Sequence, residues 1–268
     1  MHYQPIVSVQ RGTIVSFEAL ARWRHPIRGL VGASEFIPIA EKTGLVLEID
    51  RITLAESCRQ MAAWLTRFGP AAPHVISVNV SSRQFAQGDL VDATKAVLRE
   101  TGLEPSRLKL EITEGAFIDD LAAAQLTLSG LSAIGVQWSL DDFGTGYSSL
   151  SYLDRLHVDT LKLDRSFVSR IALDLAGSEM VRTIIALAHT LQIDVVGEGV
   201  ETPEQLAALR EFGCDYAQGF LFAPALDEAG ASRLITEQPW RIQPLSSADE
   251  GPRQAVRNQP RDAVRLVS

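Results

Sequence analysis

The sequence predicts an α/β fold in which eight strands close into a (β/α)₈ TIM-like barrel. Short runs of β-branched residues alternate with segments of helical periodicity, in units of about 30 residues. Most of these runs end in a polar residue of a type that binds metals. An open doubly wound sheet is the alternative fold, because it shows the same alternation of strands and helices.

The amino-terminal quarter contains a hairpin and a long helical segment. Strands are expected over residues 3–9 and 13–20, joined by Gln10-Arg11-Gly12, and this hairpin-like turn favours an antiparallel first pair. Helical spacing then runs from residue 33 to residue 68 with an interruption at Gly44, and Gly69-Pro70 ends it.

The remainder repeats one strand followed by one helix. Strands are predicted over residues 75–80, 108–113, 134–140, 158–164, 193–198 and 216–218, with helices over 89–101, 121–131, 178–191 and 203–212. Residues 1–245 are expected to form the barrel. Residues 246–268 are polar and lack sustained periodicity, so they are expected to be a disordered tail. Because a strand begins beside Met1, the chain is expected to derive from a longer protein with an upstream regulatory domain.

The composition narrows the possible partners and the cellular compartment. The chain has 268 residues, a net charge of -8 and a pI near 5.2, which argues against a broad surface for DNA or RNA. It has no apolar run long enough for a membrane span and no secretory signal, so no membrane contact is expected within this segment. Cys58 and Cys214 are too few for a disulfide framework, which fits a reducing, cytoplasmic location, either free or as the cytoplasmic part of a larger, membrane-anchored protein.

The polar residues at the ends of the strands form a candidate metal site. In a barrel the carboxyl ends of the strands meet at one mouth, so side chains far apart in sequence are expected to converge there. Carboxylate and amide oxygens without sulfur suit Mg²⁺ or Mn²⁺ better than zinc, and two ions would assist phosphodiester cleavage. The candidate ligands are Glu18, Asn79, Glu111, Asp141 and Asp142. Any single aspartate ahead of a helix is more often a helix cap than a ligand.

Three further residues complete the candidate site. Lys162 could orient a nucleophilic water, and Glu198 could accept a proton or complete a metal shell. Arg22, four residues after Glu18, could pair with a phosphate. Taken alone, Lys162 is more often an ion-pair partner, and Gly144 and Gly146 indicate only a bend in the chain.

The chain resembles the EAL-domain family of cyclic di-GMP phosphodiesterases from about residue 3 to residue 226. Glu18-Ala19-Leu20 lies in Phe-Glu-Ala-Leu-Ala-Arg-Trp-Arg-His-Pro, the segment that names the family, and Tyr3-Gln4-Pro5 matches its opening. The other matching segments begin at Ser77, Leu110, Asp141, Leu161, Glu198 and Gln218.

The resemblance implies a bacterial enzyme that hydrolyses cyclic di-GMP to linear 5′-pGpG with two Mg²⁺ or Mn²⁺ ions and is inhibited by Ca²⁺. It assigns metal binding to Glu18, Asn79, Glu111, Asp141, Asp142 and Glu198. It assigns Lys162 to the catalytic water, and Gln4, Arg22 and Gln218 to the substrate side of the site. Glu114 is expected to brace the 141–150 loop, which in the family links the site to a homodimer interface.

The departures from the family pattern are small. Gly197 replaces the usual alanine before Glu198, and Trp138-Ser139 replaces a more aliphatic pair, so Trp138 could perturb the seating of Asp141. The complete ligand set favours an enzyme over a catalytically silent cyclic di-GMP receptor or regulatory module. An unrelated metal-dependent barrel hydrolase is the third interpretation.

Overall fold

In a computed structural model, which describes residues 1–117, 120–144, 156–171 and 175–242, the chain forms a closed eight-stranded barrel. The strands follow the β-branched runs of the sequence. The described strands are β1 (His2–Ser8), β2 (Ile14–Leu20), β3 (Arg22–His25), β4 (Gly29–Gly32), β5 (Val75–Val80), β6 (Leu108–Thr113), β7 (Gln137–Phe143), β8 (Thr160–Leu163), β9 (Asp194–Gly197) and β10 (Tyr216–Ala217).

The barrel closes in the order β1, β10, β9, β8, β7, β6, β5, β2. Strand β1 is antiparallel to β2 and β10, whereas the other neighbours are parallel, which confirms the predicted fold and the antiparallel first pair. We call the end of the barrel at the carboxyl ends of the parallel strands the upper end. Because β1 runs in the opposite direction, its first residues also lie at the upper end.

Helices pack around the outside of the barrel. The described α-helices are α1 (Ala33–Thr43), α2 (Val46–Phe68), α3 (Ser82–Ala86), α4 (Leu90–Thr101), α5 (Leu121–Ala133), α6 (Arg165–Val168), α7 (Leu175–Thr190), α8 (Pro203–Glu211) and α9 (Glu228–Glu237). Several begin at a side-chain cap. Thr202 and Gln205 form a capping box at α8, and Asp164 accepts the Ser166 N–H at the start of α6.

The hydrophobic core lies between the barrel and these helices. Alternate strand residues such as Phe17, Ile76, Leu110, Trp138 and Leu161 are buried on the outer face. Cys58 and Cys214 are buried free cysteines in the same core. Within the described part of the chain, no helix is both long enough and apolar enough to cross a membrane.

The structure differs from the predicted elements in two main ways, one missed hairpin and one shifted strand, and several other ends move by one to three residues. The hairpin of β3 and β4 was missed because Arg22–His25 shows no apolar alternation. The strand predicted over residues 134–140 lies instead at Gln137–Phe143 and continues through both aspartates. The predicted tail at 246–268 lies outside the described residues.

Candidate active site

Every strand of the barrel contributes one polar side chain to its upper end. Six of these residues lie on strands, and Glu198 and Gln218 directly follow β9 and β10. We call this set the upper layer: Gln4, Glu18, Asn79, Glu111, Asp141, Lys162, Glu198 and Gln218. The structure thus brings together residues from one end of the sequence to the other.

Lys162 lies at the centre of the upper layer and is only 1% exposed. Its Nζ is 2.7 Å from Glu111 Oε2, 2.8 Å from Glu198 Oε1 and 3.1 Å from Asp141 Oδ1. Glu18 Oε2 is farther away, at 3.8 Å. Burial lowers the pKa of Lys162, but the surrounding carboxylates outweigh it and raise that pKa well above its usual value. Lys162 is therefore a permanent cation.

One lysine does not balance the negative charge around it. Burial, together with the neighbouring carboxylates, raises the pKa of Glu198 to about 8 despite the adjacent Lys162. The same causes raise the pKa of Glu111 well above its ordinary value. At least one carboxyl group therefore tends to keep its proton unless another cation enters the cluster.

Side-chain amides fix the orientation of Glu18. Asn79 Nδ2 donates to Glu18 Oε1 at 2.7 Å, and Gln218 Nε2 donates to Glu18 Oε2 at 2.6 Å. Gln218 Nε2 is also 3.1 Å from Gln4 Oε1, and Gln4 Nε2 donates to the carbonyl of Ala223 at 3.1 Å. Burial raises the pKa of Glu18, but Lys162 and these donors outweigh it and lower that pKa. Glu18 is thus held as a carboxylate.

A β-bulge brings two adjacent aspartates to the same end of the barrel. Leu140 pairs with Leu161 and Phe143 pairs with Leu163, so Asp141 and Asp142 together oppose Lys162. Asp142 has a φ of 53°, a conformation that aspartate adopts more readily than most residues. The bulge is needed because successive side chains on a regular strand point to opposite faces.

Gly144, the residue after β7, lies close to the ring of Phe167. Gly144 has a φ of 95°, and a Cβ atom there would lie 2.2 Å from the ring of Phe167. Glycine is therefore required at this position. Trp138 is fully buried on the outer face of β7, opposite Asp141, and it packs into the core.

Oxygen donors at the bulge fit a divalent cation. Ligand atoms of Asp141, Asp142 and Glu198 lie within 4.8 Å of one another. All three are carboxylates, the hard donors that Mg²⁺ and Mn²⁺ favour. Burial, followed by Asp141 and other carboxylates, also raises the pKa of Asp142, and a bound cation would relieve this repulsion.

Besides Asp142, two candidate residues lie outside the upper layer. Arg22 begins β3, and its guanidinium donates to the carbonyl of Ala21 at 2.9 Å. Glu114 opens a short 3-10 turn directly after β6. Most of the loop that Glu114 is expected to brace, residues 145–150, lies beyond the part of the chain that the structure describes.

Two clefts open from the upper layer and share Glu18. One has a volume of about 440 Å³ and is lined by Asn79, Asp142 and residues of α1 and α2. The other, of about 270 Å³, is lined by Glu198, Gln218 and Phe220. Phe220 is 67% exposed at its rim and was not among the predicted site residues. Its position directly after Gln218-Gly219 was the available signal.

Comparisons with known proteins identify the family. The sequence profile of the EAL domain matches residues 1–225. The chain is 47% identical over 221 residues to the bifunctional diguanylate cyclase/cyclic di-GMP phosphodiesterase MucR of Pseudomonas aeruginosa, covering 82% of this chain and 32% of MucR. It is 41% identical over 235 residues to the cyclic di-GMP phosphodiesterase NbdA of the same organism, covering 88% of this chain and 30% of NbdA.

A solved structure agrees with these relatives. The structure described as PaMucR phosphodiesterase in complex with c-di-GMP matches with a TM-score of 0.81 and 45% identity, over 86% of this chain and 92% of that chain. The chain spans about a third of the length of MucR and NbdA, which are longer proteins. The sequence match and the barrel together show that this chain belongs to the EAL domain family.

Proposed function

We propose that this chain hydrolyses cyclic di-GMP to linear 5′-pGpG and so lowers the level of a bacterial second messenger. Water adds to one phosphorus atom, and the 3′ oxygen leaves with a proton. The observation that carries the proposal is the convergence of four carboxylates and Lys162 at the mouth of the barrel. The names of MucR, NbdA and the PaMucR structure support this choice of substrate.

Two divalent ions, Mg²⁺ or Mn²⁺, are part of the proposal. Glu18, Asn79, Glu111, Asp141, Asp142 and Glu198 would hold them. Bound there, such ions supply a low-pKa water and neutralise charge on the phosphate. The close oxygens of Asp141, Asp142 and Glu198 support at least one ion position.

Lys162 is proposed to position the nucleophilic water. Its Nζ lies among carboxylates at 2.7 to 3.1 Å, which restrict its movement. Glu198 is proposed either to complete a metal shell or, where it binds no ion, to accept a proton. We expect Lys162→Ala to keep substrate affinity better than turnover, and equal losses of both would contradict this role.

The two clefts suit a substrate with two bases. They open on either side of Glu18, so a cyclic dinucleotide centred on the upper layer would reach into both. Phe220 offers an exposed aromatic face on which a purine could stack. Gln4 and Gln218 line the cleft that contains Phe220, and Arg22 is proposed to contact a phosphate.

The test is incubation of the purified protein with cyclic di-GMP and Mg²⁺ or Mn²⁺, followed by chromatography. We expect 5′-pGpG to accumulate with wild type and not with Asp141→Asn. The matched control is Asp92→Asn, which removes a carboxylate from an exposed ion pair with Lys95 and should retain full turnover.

Two other results would redirect the assignment. Tight binding of cyclic di-GMP without release of 5′-pGpG would identify a silent receptor or regulatory module. Cleavage of another phosphoester in a substrate panel, without binding of cyclic di-GMP, would identify an unrelated metal-dependent hydrolase.

A homodimer and a regulatory domain elsewhere in the full protein are also proposed. Sedimentation of the wild type at several concentrations tests the homodimer. A sedimentation coefficient that stays that of a monomer across the range would contradict it.

A further inference from the structure

A second polar layer lies inside the barrel directly below the upper layer. Each of its members precedes an upper-layer residue by two positions, so period-two alternation points both side chains to the interior. We call this set the lower layer: Ser16, Ser77, Lys109, Ser139 and Thr160. TIM barrels usually fill this region with bulky branched side chains, and Ile6 and Val196 at the same level are of that type. Four of the five lower-layer residues, in contrast, are small hydroxyl residues.

The small side chains leave a cavity of about 250 Å³ in the lower half of the barrel. Glu111 and Lys162 form its roof, so it reaches the underside of the upper layer. At the opposite end it is lined by Arg11, His74 and Asp194, all of which are exposed. We call this cavity the lower chamber.

The lower chamber contains polar groups that need partners. Ser16 Oγ and Ser139 Oγ are buried and have no hydrogen-bond partner within residues 1–117, 120–144, 156–171 and 175–242. Lys109 Nζ donates to Thr160 Oγ1 at 2.7 Å, which uses only one of its three donors in this pair. A buried hydroxyl without a partner costs about 1 to 3 kcal/mol, whereas apolar cavities incur no such cost and stay dry.

The chamber favours water over other ligands. A water molecule occupies about 30 Å³ in the liquid and makes two to four hydrogen bonds, so several would fit here. The lower mouth carries both signs of charge, Arg11 against Asp194, which gives no preference for an anion or a cation. Hydroxyl groups around the wall can donate to water or accept from it.

We propose that the lower chamber binds a cluster of water molecules, which enter through the lower mouth, the end lined by Arg11, His74 and Asp194. In the Lys162–Glu111 ion pair, the cluster solvates the Glu111 carboxylate from below, while the three donors of Lys162 Nζ are directed at the surrounding carboxylates. Ser139 is a positioning residue in this arrangement, because its small size preserves the space beneath Asp141.

Chemical labelling tests the access of solvent without reference to any activity. The probe is methyl methanethiosulfonate, a small neutral thiol reagent, applied to Ser139→Cys and followed by mass spectrometry. Ser57→Cys is the matched control, because Ser57 on α2 is fully buried with an unpartnered Oγ among described residues but does not line the chamber. Native Cys58 and Cys214 are buried, and burial raises the pKa of both thiols to about 12.

We expect labelling of the Ser139→Cys protein to be at least about tenfold faster than labelling of the Ser57→Cys protein after each rate is divided by the measured thiolate fraction, since the remaining difference reports access. Equal, slow labelling would overturn a solvent-filled chamber. Adding His74→Trp to the Ser139→Cys protein should slow labelling, because His74 lines the lower mouth. An unchanged rate would overturn entry from this end.

Turnover tests the role of the water, and this part rests on the proposed function. Ser139→Val fills space and removes a polar group, so we expect kcat to fall about threefold to tenfold, the range of one lost hydrogen bond, at unchanged KM. Ser139→Ala leaves room for water and should lose less kcat than Ser139→Val, whereas Ser57→Val, outside the chamber, should keep kcat near wild type. If Ser139→Ala loses as much as Ser139→Val, the hydroxyl and not the water is required, and the proposal is overturned. Absence of turnover in wild type would instead reject the proposed function and leave the labelling result intact.

Discussion

The two layers inside the barrel differ in charge, although only two residues along each strand separate them. The upper layer holds four carboxylates around Lys162, whereas the lower layer holds hydroxyls and Lys109. The apolar core lies outside the barrel, between strands and helices. Because that outer core supplies the hydrophobic stabilisation, the barrel can place polar side chains at both levels of its interior, beside a few apolar ones such as Ile6 and Val196.

The largest difference between the layers is expected in turnover. Asp141→Asn removes a charge at the bulge and at the proposed metal position. Metal-assisted charge stabilisation is worth several kcal/mol, and a loss of about 4 kcal/mol corresponds to about 10³-fold in rate. We expect at least that loss in the rate of 5′-pGpG formation, with an unchanged circular dichroism spectrum. A residual rate within tenfold of wild type would break the assignment of the chemistry to the upper layer.

The next largest difference between the two layers is expected in the free energy of unfolding. Lys162→Met leaves the carboxylates without their cation, and breaking a buried ion pair costs about 3 kcal/mol or more. Urea unfolding in metal-free buffer measures the change, and Mg²⁺ should restore part of it. Thr160→Val in the lower layer removes one hydrogen bond from Lys109 and should cost about 1 kcal/mol. Equal losses for the two variants would contradict a charge-dominated upper layer.

The KM of variants at the two ends of the barrel shows at which end the substrate binds. Phe220→Ala removes an exposed ring at the upper end, and stacking is worth about 1 to 3 kcal/mol per base, so KM should rise about tenfold. Tyr216→Phe, at the lower end, removes only a hydroxyl that is 3.3 Å from Asp194 Oδ2, so KM should not change. A larger rise in KM for Tyr216→Phe than for Phe220→Ala would indicate that the substrate binds at the lower end and would contradict the proposed site.

The smallest effect concerns packing behind the upper layer. A Cβ atom at Gly197 would lie 2.8 Å from Leu209 Cδ1, so Gly197→Ala must displace a fully buried side chain of α8. Such overpacking costs about 1 kcal/mol at the low end, measurable as a lower urea midpoint. Gly32→Ala is the control, because the nearest atom, Ser34 Oγ, would be 3.9 Å away. An unchanged urea midpoint for Gly197→Ala would show that the Leu209 side chain repacks without loss of stability.

The strand and helix pattern was largely readable from the sequence. The strands predicted at residues 75–80 and 108–113 match β5 and β6 without change. Gly44 ends α1, with the left-handed conformation that glycine adopts at a helix terminus. These features depend on local preferences, which a single sequence carries.

The bulge and the lower layer depend on contacts between strands. Asp141 and Asp142 disfavour a strand by their own propensity, so the pattern placed the strand end at residue 140. Only pairing with β8 shows that two residues oppose Lys162. Ser16, Ser77 and Ser139 lie on different strands, and alternation alone does not show that they face one another across the interior.

The position of Lys162 also bears on how the protein matures in the cell. Its ammonium group belongs to the chain and sits within 3.1 Å of three carboxylates, so those acids have a partner as soon as the barrel closes. The Mg²⁺ or Mn²⁺ ions of the proposed function would then bind to a barrel that has already closed around its own cation.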